Sequence, residues 1–389
     1  MRKHNYFVTF INKINLLINN LLKKYLNKLN LNNFNKIVRS SNFFLLFITL
    51  TILTLSYLSI PNVYDKAEIS KELKDQLKNK FSLNFDLSNN LKYNFLPRPH
   101  FTFKNSTILK DQNEISKIGN LKIYVSLNNL FSLKNIKVND LILENSNFNL
   151  NDQTYHFFTN LLNQNFKNGN LVIKDSNIFY RNKDDEVLFI NKIIDMKYYY
   201  DAKDLKNFSI SNNEIFNLPY SLDLHNNKEN KKIFSKLYIN FLKLKIENEF
   251  DYKNDIKNGS MNFTFNKNKS YVLYKLKQND FIFNIADKLN NPKFFYEGKI
   301  NFNPFYSILK GESEEINLFK IFNSNTFIIQ LLKTEILNNK NMNFDLKINS
   351  DKIKSFESFI KFNLNSKIED GLTDIDNSKF SWKNNASFE

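Results

Sequence analysis

Met261-Asn262-Phe263-Thr264-Phe265-Asn266 places an apolar side chain at every second position, and Met342-Asn343-Phe344-Asp345-Leu346-Lys347-Ile348-Asn349 does the same. A period of two belongs to the pleated strand, whose successive side chains point to opposite faces. Each stretch therefore reads as a strand with one apolar and one wet face. Ile360, Phe362 and Leu364 alternate with Lys361 and Asn363, and Leu237, Ile239 and Phe241 continue the theme. The pattern dominates from Phe81 onward, and the usual spacing of turn signals divides it into roughly 15–20 short strands. Asn168-Gly169, Asn258-Gly259 and Asp370-Gly371 are dipeptides suited to type I′ hairpins, whose central residues both take positive φ. The chain reads as mainly β and antiparallel.

Helical spacing is rare. Tyr64 to Phe81 carries Ile69, Leu73 and Leu77 four residues apart between charges, which predicts a short amphipathic helix. Gln153 to Phe166 has Phe157, Leu161 and Leu162 on one face, and Glu314 to Asn338 has Ile328, Leu331, Leu332 and Ile336. Two or three helices cannot cover the apolar face of so long a sheet. The sheet must either pack on itself as a sandwich or barrel, with a dry core, or curl into a trough whose apolar face is open to hydrophobic ligands.

Composition removes several functions. With no Cys there is no disulfide framework, no thiolate metal site and no cysteine nucleophile. The six glycines are isolated, so neither a Walker loop nor a GxGxxG turn exists to cradle phosphate. The chain is rich in Asn and Lys, yet 40 Phe and 15% aromatic residues supply the apolar mass that disordered chains lack. His4, His100, His156 and His225 are scattered without metal-ligand spacing, and no GxSxG elbow is present. Asp184-Asp185-Glu186 and Glu312/Glu314/Glu315 read as solvated charge clusters rather than as acid–base pairs. The expectation is a protein without catalytic, metal or cofactor sites.

Charge and hydropathy are unevenly placed. The net charge is +16, and half of it sits in residues 1–42, which carry Arg2, Lys3, Lys13, Lys23, Lys24, Lys28, Lys36 and Arg39 and no acid. Ile11, Ile14, Ile18, Leu21, Leu22, Tyr25 and Leu29 recur there at helical spacing, the pattern of a basic amphipathic helix on anionic lipid. Phe43 to Ile60 follows without a charge, and at about 1.5 Å per residue it spans roughly 27 Å, close to the hydrocarbon thickness of a bilayer. A long basic leader and the absence of a small-x-small site after it favour an uncleaved anchor over a signal peptide. The positive-inside rule then puts the N-terminus in the cytoplasm and the remainder outside. With the charge beside a membrane span, basicity does not point to a nucleic-acid partner. The expected organisation is 1–42 basic cytoplasmic segment, 43–60 transmembrane anchor, 61–82 amphipathic helix and 83–389 exported β domain.

Tyr93-Asn94-Phe95-Leu96-Pro97-Arg98-Pro99-His100-Phe101-Thr102-Phe103-Lys104-Asn105-Ser106 resembles the start of AsmA-family proteins, where a leader ending in Leu-Pro-x-Pro precedes an alternating strand and an Asn-containing turn. Ile118 to Leu127, then Asn129 to Leu133, Ile136 to Val138 and Leu141 to Asn145 are similar to the strand repeats that follow. The likeness is clearest over residues 40–150, and beyond them it is one of architecture. It implies an elongated, curled, taco-like β-sheet whose apolar concave face carries phospholipid, anchored in a bacterial inner membrane with its bulk in the periplasm. The implied role is lipid movement toward the outer membrane, with a part in outer-membrane protein targeting and assembly as the alternative. Members are often longer, and the stop at Glu389 within a strand-like stretch suggests a short or C-terminally incomplete member. Expected groove residues are Ile136, Val138, Met261, Phe263, Phe265, Ile300, Phe302, Met342, Phe344, Leu346 and Ile348. Pro97 and Pro99, which lack N–H donors, are expected to blunt the first sheet edge.

Overall fold

The structure is a computed structural model that describes residues 41–389, except 111–112, 129, 152, 165, 183, 228–229, 252–256, 266–267, 278–279, 287–293, 303–304, 322–338, 355, 357, 383–385 and 389. The expected basic helix of residues 1–42 thus falls almost wholly outside the described residues. The chain forms two units, Met1–Val63 and Tyr64–Glu389.

In the first unit, helix α1 (Ser41–Ser59) runs into a single 3-10 turn, Ile60–Asn62. Leu45, Leu46, Phe47, Leu50, Ile52, Leu53 and Leu55 are exposed along it. Its threonines are self-satisfied: the hydroxyls of Thr49, Thr51 and Thr54 each donate to the carbonyl four residues back at 2.8 Å. One N-terminal helix is thus long and apolar enough to cross a membrane.

The second unit begins with α2 (Lys66–Phe81), capped by the Asp65 carboxylate, which accepts from the N–H groups of Ala67 and Glu68 at 2.9 and 3.0 Å. The strands follow: β1 (Asn84–Asp86), β2 (Leu91–Asn94), β3 (His100–Lys110), β4 (Asn113–Val125), β5 (Val138–Leu150), β6 (Leu171–Arg181), β7 (Val187–Asp201), β8 (Lys206–Ile215), β9 (Leu218–Asn227) and β10 (Lys232–Ile239). They continue as β11 (Leu244–Asp251), β12 (Lys257–Phe265), β13 (Asn268–Lys277), β14 (Asp280–Ala286), β15 (Phe294–Phe302), β16 (Phe305–Ile316), β17 (Asn343–Ile353), β18 (Phe359–Glu369), β19 (Leu372–Ile375), β20 (Lys379–Trp382) and β21 (Ala386–Phe388). All belong to one long sheet that curls without closing. From β3 to β18 each strand pairs with the next in sequence, antiparallel except at β5–β6 and β16–β17.

A parallel pair needs a crossover. Among the described residues of the first, 151–170, the helix is the one-turn α3 (Phe157–Leu161) where a helix over 153–166 is expected. Asn151 explains the shortening: its side chain accepts from the Gln153 N–H at 3.0 Å and from the Thr154 hydroxyl at 3.1 Å, which offers the backbone a turn instead of a helix. In the second crossover Glu314 to Ile316 belong to β16, a short helix α4 spans Leu318–Ile321, and Ile328, Leu331, Leu332 and Ile336 lie outside the described residues.

A line of left-handed residues interrupts the first part of the sheet. Asn105, Asn145 and Asp175 take φ of 56°, 53° and 47° inside β3, β5 and β6, and each precedes a buried serine (Ser106, Ser146, Ser176). The ladders are interrupted at these levels with no change of register, and the Ser146 N–H donates to Ser176 Oγ at 3.0 Å across the parallel pair. Lys104-Asn105-Ser106 is therefore not a turn, as the resemblance implies, but a kink within one strand. Two of the three Gly dipeptides also differ from expectation. Asp370-Gly371 does form a hairpin turn with φ of 54° and 79°, between β18 and β19. Asn258-Gly259 lies inside β12, and Asn168-Gly169 ends the first crossover, where parallel strands exclude a hairpin. Pro97 and Pro99 sit in the connection from β2 to β3, not on a sheet edge.

A dry core lies beneath α2 and the first crossover. Ile69, Leu73, Leu77 and Phe81 of α2 are buried with Phe101, Phe103, Leu121, Ile123, Leu141, Leu143 and Phe148 of the strands, all 2% exposed or less. The crossover adds Phe157, Phe158, Leu161, Leu162 and Phe166. Phe166 stacks on Tyr198, whose hydroxyl donates to the Phe158 carbonyl at 2.8 Å. Lys80 ties α2 to the parallel junction, donating to the carbonyls of Val138, Asn139 and Asn168 at 2.8, 2.8 and 3.0 Å. Burial lowers its pKa and the Asp140 carboxylate opposes that shift. Phe241 is the one misplaced member of its alternating stretch: β10 ends at Ile239, and Phe241 is exposed in the following turn.

Candidate apolar groove

Residues directly opposite in a ladder share a face, so the inner face can be followed strand by strand from the dry core outward. Tyr198, under the crossover, pairs with Ser209, which pairs with Leu224, then Ser235, Asn248, Met261, Val272, Ile285, Tyr296, Gly311, Ile348 and Leu364. A second row starts at Asn226 and runs through Ile233, Phe250, Gly259, Tyr274, Phe283, Gly298, Leu309 and Leu346. A third joins Ser211, Leu222, Leu237, Ile246 and Phe263. One face thus stays predominantly apolar over ten strands, and its character changes along the way. Up to β8 it is sealed. From β9 to β17 most of its apolar side chains (Leu222, Leu224, Ile233, Leu237, Ile246, Phe250, Phe283, Leu309) are only half-buried.

Three glycines shape this open part. An ideal Cβ on Gly259 would lie 2.0 Å from Tyr274, on Gly298 2.2 Å from Phe283, and on Gly311 2.3 Å from Tyr296. In each pair the glycine faces the ring across the ladder, so the ring lies down over it and forms a floor instead of standing up into the trough. Burial pushes the phenols of Tyr274 and Tyr296 up to about 12, so both stay neutral, and the Tyr274 hydroxyl donates to Asn248 Oδ1 at 2.6 Å. The curl carries distant strands together: the Asn341 side chain, just before β17, donates to the Leu188 carbonyl in β7 at 3.0 Å. Toward the C-terminal strands a wholly apolar cavity of about 380 Å³ is lined by Leu318, Ile353, Phe356, Phe359, Phe380 and Trp382.

The expected groove residues divide between these regions. Ile136 and Val138 are 1% and 5% exposed beneath α2, where the Gln76 side chain donates to the Ile136 carbonyl and accepts from the Val138 N–H. They belong to the dry core and are withdrawn as groove residues, because the helix expected at 64–81 packs on them. Met261, Phe263, Phe265, Ile300, Phe344 and Leu346 are half-buried on the inner face. Phe302 ends β15 opposite Phe305, and Met342 is half-buried in the turn before β17. Ile348 is buried in a small cluster with Ile316, Ile353 and Phe362. Tyr274, Phe283 and Tyr296 were not expected; the available signal was an isolated glycine inside an alternating stretch.

Asp184, Asp185 and Glu186 occupy the exposed turn between β6 and β7. Among the described residues no three His, Asp or Glu side chains converge to hold a metal ion. Compared with known proteins, the chain matches no protein-family model and no curated protein.

Proposed function

We propose that this is a membrane-anchored protein whose curled sheet binds phospholipid by its acyl chains and helps move it between the inner and outer membranes of a bacterial envelope. The observation that carries the reading is the half-open apolar face running from β9 to β17 beside a sealed core. A soluble β domain gains nothing by leaving so long an apolar row partly wet. An acyl chain of about sixteen carbons laid on it would contribute on the order of 13 kcal/mol gross, at about 0.8 kcal/mol per CH₂. The resemblance to the AsmA family over residues 40–150 supports the same reading. In it the chain does no covalent chemistry.

Lipids co-purifying with residues 61–389 should be identifiable by mass spectrometry. A photo-crosslinker at Phe263 or Phe344 should capture phospholipid, and one at Asn262, on the opposite face, should not. Equal capture from both faces, or capture of protein alone, would favour a scaffold for outer-membrane protein assembly. The proposed orientation has its own check. A reporter active only in the periplasm, fused after Glu389, should be active; a signal from a cytoplasm-restricted reporter at that position would reverse the topology.

A further inference from the structure

The sealed part of the second unit leaves few apolar side chains in the open, and most of those lie together. Among the described residues from Tyr64 to Phe189, four large apolar side chains are exposed: Leu96, Leu127, Phe131 and Tyr155. The first three sit in the β2–β3 and β4–β5 connections. These meet at one end of the sheet, because β3 and β4 are antiparallel and His100 is opposite Tyr124. The two connections are fastened down. The Val125 N–H donates to the Pro99 carbonyl at 3.0 Å, and the Ser126 N–H to the Lys137 carbonyl at 2.9 Å. The Arg98 guanidinium lies 2.9 Å from the Asp140 carboxylate and 4.6 Å from the centre of the Tyr124 ring. Leu130 is fully buried, and its carbonyl accepts from the Tyr64 hydroxyl at 2.6 Å. Leu96, Leu127 and Phe131 are nevertheless 69%, 55% and 73% exposed, so a held frame presents them to whatever lies outside.

Chain connectivity says what that is. The candidate span ends at Asn62, and Tyr64 follows two residues later, no more than about 7 Å along an extended chain. Tyr64 is bonded to the very loop that carries Leu127 and Phe131. Neither connection carries an acid, and Arg98, Lys134 and Lys137 in them are basic and exposed. Arg98 is matched by Asp140, and Asp65 and Glu68 at the start of α2 stand against Lys66, so the surplus of charge is small. Apolar contact is then the larger attraction. Three loop tips offer far less area than the about 800 Å² per partner of a standard protein interface. Apolar tips flanked by lysines, whose stems lie along apolar surface while the ammonium stays wet, suit a lipid surface instead. We propose that Leu96, Leu127 and Phe131 dip into the headgroup–acyl boundary of the bilayer that α1 crosses, to a depth of about 5–10 Å. This rests on the anchor reading and is independent of the groove. It makes the β2–β3 and β4–β5 connections a second attachment, which holds the sealed end of the sheet against the membrane.

The chain has no Cys, so single cysteines can be labelled cleanly. The full chain is reconstituted in vesicles of phosphatidylcholine and phosphatidylglycerol, with nitroxide lipids as quenchers of a fluorophore at one position. Labels on Leu96→Cys, Leu127→Cys and Phe131→Cys are expected to be quenched severalfold, most by a nitroxide high on the acyl chain. A label on Leu53→Cys, in the middle of the candidate span, should be quenched most by one near the methyl end. A label on Leu372→Cys, 70% exposed at the start of β19, should be quenched by neither. These substitutions are at exposed positions, and a melting temperature equal to that of the wild type confirms the fold. Quenching at Leu53→Cys without quenching at the three loop positions would overturn the loop contact and leave the anchor standing. No quenching at Leu53→Cys would remove the anchor reading and this inference with it. Quenching at Leu372→Cys as strong as at Phe131→Cys would mean unspecific adsorption and overturn the assignment. Self-quenching between copies labelled at Phe131→Cys, without quenching by lipid, would give the patch to a second copy of the chain and overturn it too.

Discussion

Phe101→Asp is expected to abolish folding, whereas Phe344→Asp is expected to leave a folded protein that has lost its lipid. Phe101 is fully buried in β3, against Tyr93 with ring centres 5.0 Å apart and opposite Ile123 in β4. An unpaired carboxylate there would meet a desolvation penalty of tens of kcal/mol in the idealised limit, or bind a proton. Even the relaxed cost exceeds a sizeable part of the about 5–15 kcal/mol by which a typical domain is stable. Phe344 is apolar too, but half-buried on the inner face between Ser307 and Ile368. A carboxylate at this site keeps its water, so the cost to folding is modest, about 1–2 kcal/mol of lost apolar burial. An acyl chain passing it would instead meet a hydrated charge. Circular dichroism melting and mass spectrometry of bound lipid separate the two effects. A Phe344→Asp chain that fails to fold would mean that the β9–β17 face is a dry core, and the lipid assignment would be withdrawn.

The difference between those two positions is also where sequence reading stops. The alternation at 261–265 and 342–348 gives strands and their apolar face correctly, because period two is a local property of the pleat. Whether that face is sealed depends on what another segment places over it. Ile136 and Phe344 look alike in sequence; one lies under α2 and the other does not. The helix at 64–81 was legible from Ile69, Leu73 and Leu77, but its target was not. The left-handed residues Asn105, Asn145 and Asp175 each precede a serine, and only the first of these pairs was noted, as part of a turn, since a left-handed residue inside a strand looks the same in sequence as one in a loop. Asn258-Gly259 misled for the opposite reason. Its glycine serves a ring on the next strand, not a turn, and cross-strand demands have no local signature.

Glycine is where the two kinds of demand can be told apart by experiment. Gly169→Ala is expected to cost about 3 kcal/mol or more, at or beyond the upper end of ordinary overpacking. Its added Cβ would fall 1.8 Å from the Asn139 carbonyl oxygen and 2.7 Å from the Lys80 ammonium. The first is backbone in the parallel junction of β5 and β6 and cannot swing aside. Relief therefore requires prising that junction apart and loosening the three carbonyl bonds that hold Lys80. Gly298→Ala looks as severe by distance, 2.2 Å, but the atom it meets is the tip of the Phe283 ring. The ring can lift. Alanine also recovers about 0.5–1 kcal/mol of the entropy a strand glycine forfeits, so net stability should change by under about 1 kcal/mol. The lifted ring would stand in the trough, and lipid occupancy should fall severalfold. Urea midpoints for the two variants, with lipid quantified in the folded fraction, provide the check. Equal destabilisation by both would mean that Phe283 is locked in a packed core. Unchanged lipid in Gly298→Ala would mean that the aromatic floor is not part of the binding surface.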